Sequence, residues 1–326
     1  MKTDWLTNSW YRPSLLSWLL RPLNWLYRLI IWLRRQAYRY GIFKQYPLPV
    51  PVIVVGNISV GGSGKTPFVI WLAQYLQKQG WQPGIISRGY GGKADDYPCS
   101  VHLDSLAAEV GDEPLLIHQR TQYPVVVAPD RVAAGQQLLA DNSCNVIITD
   151  DGLQHYRLQR DIEIVIIDAN RGLGNKLCLP AGPLREPLSR LETVDFTIFH
   201  GESDSQRLTM QLQLQQAVQL KNNNLHKSLT EFADTPVYAV AGIGHPQRFF
   251  DQLQKLGLTI IPHAFADHHA YTEADFQFAE TYPILMTEKD AVKCRGFATE
   301  NMWYVPAEAK LSPSLGPAID KKLREL

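Results

Sequence analysis

The stretch Val52-Ile53-Val54-Val55-Gly56-Asn57-Ile58-Ser59-Val60-Gly61-Gly62-Ser63-Gly64-Lys65-Thr66-Pro67 decides the fold class. It reads as a buried strand, a glycine-rich loop and the opening of a helix. Its second half, with Gly61, Gly62, Ser63, Gly64, Lys65 and Thr66, is the phosphate-cradling part of a P-loop. Glycines let the backbone curl until several N–H groups point at one anion. The helix that opens near Thr66 adds the positive end of its dipole. Lys65 is placed to reach the β- and γ-phosphates, and the Thr66 hydroxyl to hold Mg²⁺. Where the motif carries its first glycine, this chain has Ser59. A Gly/Ser-rich turn with a chance Gly-Lys-Thr is the alternative, and the context argues against it. An apolar strand precedes the loop, and Phe68, Ile70, Trp71, Leu72 and Leu76 give the segment Phe68 to Gln79 a helical character.

Further β-branched runs follow, alternating with helical stretches: Gly84-Ile85-Ile86, Val125-Val126-Val127, Val146-Ile147-Ile148-Thr149, Ile162 to Ile167, and Phe196-Thr197-Ile198-Phe199. Continuous runs of this kind predict an α/β fold with a mostly parallel sheet covered on both faces. Ligands of such sheets gather at the carboxyl ends of the strands. The P-loop, Arg88, Asp150 and Asp168 all fall at strand ends. Leu208 to Leu214 alternates apolar and polar, as a half-exposed strand does, and the polar stretch Lys221 to Lys227 follows. Beyond it a smaller α/β unit is expected, with strands at Val237 to Ala241, Leu258 to Ile261 and Ile284 to Met286, and a helix from Pro246 to Leu256. The expected division is an N-terminal arm (1–45), a P-loop domain (46–207), a linker with an extended strand (208–236) and a C-terminal α/β domain (237–326).

The chain has 326 residues and is 45% hydrophobic, enough for one large or two ordinary domains with real cores. Lysines and arginines balance aspartates and glutamates, so no overall basic character argues for nucleic acid. Cys99, Cys144, Cys178 and Cys294 lie far apart and form no Cys-x-x-Cys pair. They read as reduced thiols of a cytosolic setting, not as a disulfide frame or zinc site. The neutrality conceals an asymmetry. Residues 1–45 carry Lys2, Arg12, Arg21, Arg28, Arg34, Arg35, Arg39 and Lys44 against Asp4, about +7, which leaves the remainder about −7.

That basic arm is also rich in Leu, Ile, Trp and Tyr. Trp18, Trp25 and Trp32 recur at heptad spacing, as do Arg21, Arg28 and Arg35, so a helix stacks each set in a row. The longest strictly apolar run, Leu29 to Leu33, is far short of the ~20 residues that span a bilayer. Nor does a long apolar core or small-residue cleavage site mark a signal peptide. Pro13 suits a helix start, and Pro22 divides the arm into a short and a longer helix. Tryptophan and leucine on one side with arginine on the other is the pattern of a helix lying in a membrane interface. A helix packed on the protein's own core is the alternative. The tryptophan density favours the interface.

Three acidic or histidine-bearing loops carry the remaining chemistry. Asp150-Asp151, after four apolar strand residues, matches a Walker-B-type site that holds Mg²⁺ directly or through water, although Asp-Asp-Gly also makes a plain turn. Asp112-Glu113 sits in a loop bounded by Gly111 and Pro114, where a surface turn is an equal reading. Asp267-His268-His269 could be a metal cluster, a general base with an orienting carboxylate, or a polar loop. No further ligands stand at metal-site spacing, so a base fits better.

Taken together, Gly56-Asn57 with Val60 to Pro67, Ser87-Arg88-Gly89-Tyr90, Gly111-Asp112-Glu113-Pro114, Asp150-Asp151-Gly152-Leu153-Gln154-His155, Leu179-Pro180-Ala181-Gly182 with Leu184-Arg185-Glu186-Pro187, and Asp267-His268-His269 spell out a family. The chain resembles the tetraacyldisaccharide 4'-kinases, the lipid A 4'-kinases of Gram-negative bacteria. The resemblance runs in order over most of the chain, arm included, and Ser59 fits it. The Gln-rich stretch from Leu208 to Lys227 has no matching motif. The resemblance implies transfer of the ATP γ-phosphate to the 4'-hydroxyl of a tetraacylated glucosamine disaccharide 1-phosphate, giving lipid IVA and ADP. The enzyme would sit peripherally on the cytoplasmic face of the inner membrane, with ATP and Mg²⁺ as cofactors, a lipid substrate and no obligate protein partner. It implies Asp112 as catalytic carboxylate with His268 as its partner. Asp150, Asp151, Glu113 and Thr66 would form the Mg²⁺ and nucleotide set, and Ser63, Gly64 and Lys65 the phosphate cradle. Glu186 would be a further active-site acid. Arg88, Gln154, His155 and His269, from the same motifs, are expected at the active site.

The residues themselves agree. A sugar alcohol is a weak nucleophile that must lose its proton as it attacks, and a paired Asp and His can take it. A membrane-recruited P-loop ATPase switch, without a small-molecule acceptor, is the competing class. Such proteins often carry lysine just before the paired glycines, where this chain has Val60. A soluble small-molecule kinase with an incidental N-terminal helix is a third reading.

Overall fold

The computed structural model describes residues 4–12, 14–201 and 207–326; Pro13 lies outside them. The arm forms α1 (Asp4–Tyr11), α2 (Leu15–Leu19) and α3 (Arg21–Arg39). Ser14 caps α2, its hydroxyl accepting from the Leu16 N–H at 3.2 Å. Pro22 stands in the first turn of α3, where a missing N–H costs nothing, so the arm divides as expected. The helix turns a polar residue inward. Asn24 is fully buried and its Oδ1 accepts from the Cys178 N–H at 2.7 Å. Tyr27 donates to the Arg185 carbonyl at 3.1 Å. Trp18, Trp25 and Trp32 are 62%, 67% and 55% exposed, and Leu19, Leu23, Leu26, Ile30 and Leu33 are exposed beside them. Among the described residues, no helix is long and apolar enough to cross a membrane.

The body opens with β1 (Val52–Gly56) and α4 (Lys65–Lys78), then β2 (Pro83–Ser87), β3 (Cys99–Ser100), α5 (Ala107–Val110), α6 (Asp112–Thr121) and β4 (Val125–Val127). It continues through α7 (Arg131–Asp141), β5 (Val146–Asp150), β6 (Ile162–Asp168), β7 (Phe196–His200) and β8 (Leu208–Leu214). A second set follows: β9 (Ala217–Gln219), β10 (His226–Lys227), β11 (Val237–Ala241), α8 (Pro246–Lys255), β12 (Ile260–Ala264), β13 (Ile284–Thr287), α9 (Glu288–Cys294) and β14 (Met302–Val305). The chain ends in β15 (Ala307–Leu311) and α10 (Leu315–Arg324).

Over the described residues the larger sheet has nine strands in the order β15-β8-β7-β6-β1-β5-β2-β4-β3. Its pairs from β8 to β4 are parallel, and the two edge strands are antiparallel. The β-branched runs explain the burial. Ile53 and Val55 point into one hydrophobic core and Val52 and Val54 into the other, so β1 is covered on both faces. After β5 the chain crosses to the far side of β1. The carboxyl ends of β1, β5 and β6 therefore converge where a doubly wound sheet binds its ligand.

Among the described residues the smaller sheet has six strands in the order β10-β9-β14-β13-β11-β12, with β14, β13, β11 and β12 parallel. Three placements differ from the sequence expectation. The segment 208–236, expected as a linker with an extended strand, supplies that strand as β8 to the large sheet and β9 and β10 to the small one. Residues 307–326, expected with the C-terminal unit, return to the large sheet as β15, which pairs with β8. The two crossings lie side by side, joined by the Gln215 N–H to the Pro306 carbonyl at 2.9 Å. Finally, β12 starts two residues later than expected. Gly257, at φ +86°, turns the chain out of α8, and Leu258 bonds back to the Leu253 carbonyl as a helix cap and buries its side chain.

Candidate active site

The P-loop hangs between β1 and α4. Gly64 caps α4 at φ +89°, and a Cβ there would come within 2.7 Å of His200 Nδ1, so both conformation and space require glycine. The loop is tied from beneath. Asn57 Nδ2 donates to the Gly61 carbonyl at 3.1 Å and approaches Ser63 Oγ at 3.4 Å. His200 Nδ1 meets the Ser63 carbonyl at 2.8 Å. Burial, then the Arg248 cation beside it, pushes the His200 pKa down to about 4, so the ring is neutral and Nδ1–H is the donor. Arg248, on α8, also grips Asp168 at 2.7 Å and so joins the second unit to the strand end behind the P-loop.

Thr66 is buried in the first turn of α4. Lys65 Nζ lies 3.5 Å from Asp151, which Arg185 holds at 3.0 Å. Burial alone would raise the Asp151 pKa, but Lys65 and Arg185 together keep it below the usual range. Asp150 is the opposite case. Both its carboxylate oxygens are buried without a hydrogen-bond partner, as are Thr149 Oγ1 and Asn57 Oδ1. Burial first, then the Glu113 charge, push its pKa up to about 7 against the pull of Lys65. Unpaired buried oxygens at the end of the strand paired with the P-loop strand suit a hard cation. Among the described residues no three His, Cys, Asp or Glu side chains gather as a metal cage. Mg²⁺ takes one or two carboxylates and otherwise phosphate oxygens and water.

Asp112 and Glu113 do not lie in a loop. They occupy the first turn of α6, where carboxylates meet the positive helix end and Pro114 needs no N–H partner. Asp112 is buried, and its Oδ1 accepts from the Glu113 N–H at 2.8 Å. His268 Nδ1 stands 3.0 Å from Oδ2 and 3.1 Å from Oδ1 of Asp112. Burial raises the Asp112 pKa, but the His268 hydrogen bond and the charges of Lys289 and Lys293 more than offset it, so the net shift is downward. The same hydrogen bond, against the effect of burial, raises the His268 pKa. His268 is held at φ +60°, a conformation uncommon outside glycine, with the Tyr90 ring 4.9 Å away, edge-on.

The two centres are joined through the backbone. A Cβ on Gly244, in the loop after β11, would meet Gly62 N at 2.8 Å and Asp267 Oδ2 at 3.3 Å. The loop of Gly244 therefore lies against both the P-loop and the loop bearing Asp267 and His268.

The remaining expected residues divide. His269 points elsewhere: its Nε2 meets Asp275 at 3.3 Å and its ring packs on Phe265 and Tyr271. Arg88 is exposed at the end of β2. Gln154 Nε2 donates to the Asn57 carbonyl at 3.1 Å and to Glu186 at 2.8 Å. Glu186 is buried and also accepts from Tyr156 at 2.5 Å and Arg190 at 3.1 Å, so its carboxylate is taken up in holding that loop. His155 faces Asp130 at 3.6 Å, with burial and then Arg131 pushing its pKa down to about 4. Sequence reasoning assigned no role to Arg185, His200, Arg248, Lys289 or Lys293. For the last two a signal existed: Thr287-x-x-Asp290 is a helix-start signature, and Lys289 and Lys293 stand one turn apart behind it.

The family model described as tetraacyldisaccharide-1-P 4'-kinase matches residues 16–324. A tetraacyldisaccharide 4'-kinase of Nitrosococcus oceani is 51% identical over 97% of this chain and 93% of its own length. One of Methylobacillus flagellatus is 53% identical over 99% of this chain and 96% of its own. The crystal structure of LpxK from Aquifex aeolicus, described as in complex with ATP, is 32% identical and aligns with a TM-score of 0.78 over 95% of this chain and 100% of that one. The match spans both sheets and every motif quoted above, and so the chain belongs to the tetraacyldisaccharide-1-P 4'-kinase family and is an ATP-dependent lipid A 4'-kinase.

Proposed function

We propose that Asp112 and His268 together take the proton of the acceptor 4'-hydroxyl as its oxygen attacks the γ-phosphorus of ATP. The new O–P bond forms as the bond to the β-phosphate oxygen breaks and ADP leaves. The observation that carries this is the contact of His268 Nδ1 with both oxygens of Asp112, across 156 residues of sequence, on a loop that packs on the Gly244 segment bordering the P-loop. Asp112 is an ionised acceptor, so Nδ1–H donates to it and Nε2 is the ring nitrogen left to take up the proton. Lys65 and the amides of residues 61–66 neutralise and orient the phosphates. Thr66 and Asp150 would hold Mg²⁺, with Asp151 steering Lys65 and Glu113 nearby. The bound cation would neutralise charge on the transferring phosphoryl group. Transfer of labelled γ-phosphate to the detergent-dispersed tetraacyl disaccharide 1-phosphate tests the assignment: Asp112→Asn should lose most of kcat, and retention of the wild-type rate would end it.

The exposed tryptophan row supports a second part of the reading. The arm rests in the headgroup region on the cytoplasmic face of the inner membrane, where ATP is supplied. Its apolar side enters the interface and its arginines meet anionic lipid. The acceptor's acyl chains then stay in the bilayer while its sugar reaches the site.

A further inference from the structure

Helix α9 presents two lysines, one turn apart, where the two sheets' units meet. Lys289 Nζ donates to Glu113 Oε1 at 2.9 Å and to Asp267 Oδ1 at 3.3 Å, and stands 3.5 Å from His268 Nε2. Lys293 lies 3.8 Å from Asp112 Oδ2 and 3.0 Å from Asp290 Oδ1. The helix that carries them is itself pinned. Asp290 is fully buried and accepts from the Thr287 hydroxyl at 2.6 Å and from the Gly242 N–H at 2.9 Å. Gly242 opens the short loop whose Gly244 abuts the P-loop.

Lys289 thus binds one carboxylate from each side of the boundary, Glu113 on α6 and Asp267 on the histidine loop, and it faces the histidine between them. A mostly buried ammonium is costly unless paired, and a simple stabilising bridge would need one carboxylate. The pairing also meets a need of the site. Around His268 stand the carboxylates of Asp112 and Glu113 from α6 and of Asp267 from its own loop, the ammonium groups of Lys289 and Lys293 from α9, and the Tyr90 ring. Without Lys289, Glu113 and Asp267 would face each other with no cation between them. Like charges at such range repel, and the loop that holds His268 at a positive φ would keep only the His268–Asp112 contact as its hold on α6.

We propose that Lys289 is a positioning residue for phosphoryl transfer: it clasps the Asp267–His268 loop to the first turn of α6 and keeps His268 Nδ1 on Asp112. The inference rests on the reading of Asp112 and His268 as the proton-accepting pair. Among the described residues, the groups bonded to Lys289 are Glu113, Asp267 and His268, none of them in the 61–66 cradle, so the effect should fall mainly on the chemical step and not on ATP binding.

The test is a kinetic cycle on the full-length enzyme with ATP and the detergent-dispersed lipid acceptor. Lys289→Met, neutral and of similar length, should lower kcat about tenfold or more while KM for ATP moves less than about twofold. Lys289→Arg, which restores the cation, should recover most of the loss. In a His268→Ala background, Lys289→Met should change kcat by less than about threefold, because the group it positions is gone. Should Lys289→Met fold poorly by thermal melt, Lys289→Gln carries the same cycle. Equal losses in both backgrounds would overturn the clasp while leaving the catalytic pair intact, and so would an unchanged kcat in Lys289→Met. Wild-type kcat in His268→Ala alone would instead overturn the pair, and the clasp with it.

Discussion

The catalytic pair yields the sharpest test. Replacing Asp112 with Asn keeps the shape and can keep the acceptor for the Glu113 N–H, held at 2.8 Å, but removes the charge that binds the His268 proton. Replacing His268 with Ala leaves Asp112 that same N–H and Lys293 at 3.8 Å, so the buried carboxylate is not stranded and the fold should survive. Neither residue belongs to the 61–66 cradle, so ATP affinity should hardly change. A positioned base contributes ~10²–10⁴ in rate, about 3–5 kcal/mol of barrier. If the two act as one unit, each single substitution loses that factor and the double loses no more than the worse single. If they act independently, the factors multiply, and the double falls to ~10⁴ or more below wild type, ~10² or more beyond either single. The assay is kcat for both singles and the double at saturating ATP and lipid, with His269→Ala as control. His269 is bound to Asp275 and packed on Phe265, so its removal should leave kcat near wild type. Multiplying losses would refute the coupled base, and loss in His269→Ala alone would move the role one residue along.

Three further outcomes are expected. Lys65→Ala should nearly abolish turnover, and Asp150→Asn should weaken the Mg²⁺ dependence of the rate; a Lys65→Ala enzyme with normal turnover would remove the P-loop from the chemistry. Deletion of residues 1–40 should reduce binding to anionic vesicles and raise KM for lipid more than for ATP; unchanged vesicle binding would return α3 to the role of a packed helix. His200 should make the fold acid-sensitive. Its pKa falls from about 6.5 unfolded to about 4 folded, so its contribution is intact above pH 6.5 and is lost as pH drops toward 4, by up to about 3 kcal/mol. Denaturant titrations should show that slope flattened in His200→Gln, and an identical slope in both proteins would count against the buried neutral imidazole.

Much of the site was legible because short-range chemistry writes itself into spacing. The P-loop needs its glycines, lysine and threonine in one continuous turn. The β-branched runs announced buried parallel strands, and their ends marked where Asp150 and Arg88 would fall. The tryptophan and arginine rows of the arm follow from helical periodicity alone. None of this depends on knowing which distant segments meet.

Tertiary structure decided the rest. Adjacent in sequence, His268 and His269 look alike, yet a positive φ at His268 turns one ring onto Asp112 while the other packs against Phe265. Glu186 is expected from its motif as a further active-site acid, but three donors converge on it once the chain folds back. Lys289 sits in an unremarked polar helix until α9 packs against α6. The strands at 208–214 and 307–311 find each other across almost a hundred residues, and so no local pattern could assign them to the first sheet. Periodicity records which face of an element is buried. Which partner covers that face, and which charges meet there, is set by long-range packing and by the electrostatics of groups that only the folded chain brings within a few ångströms.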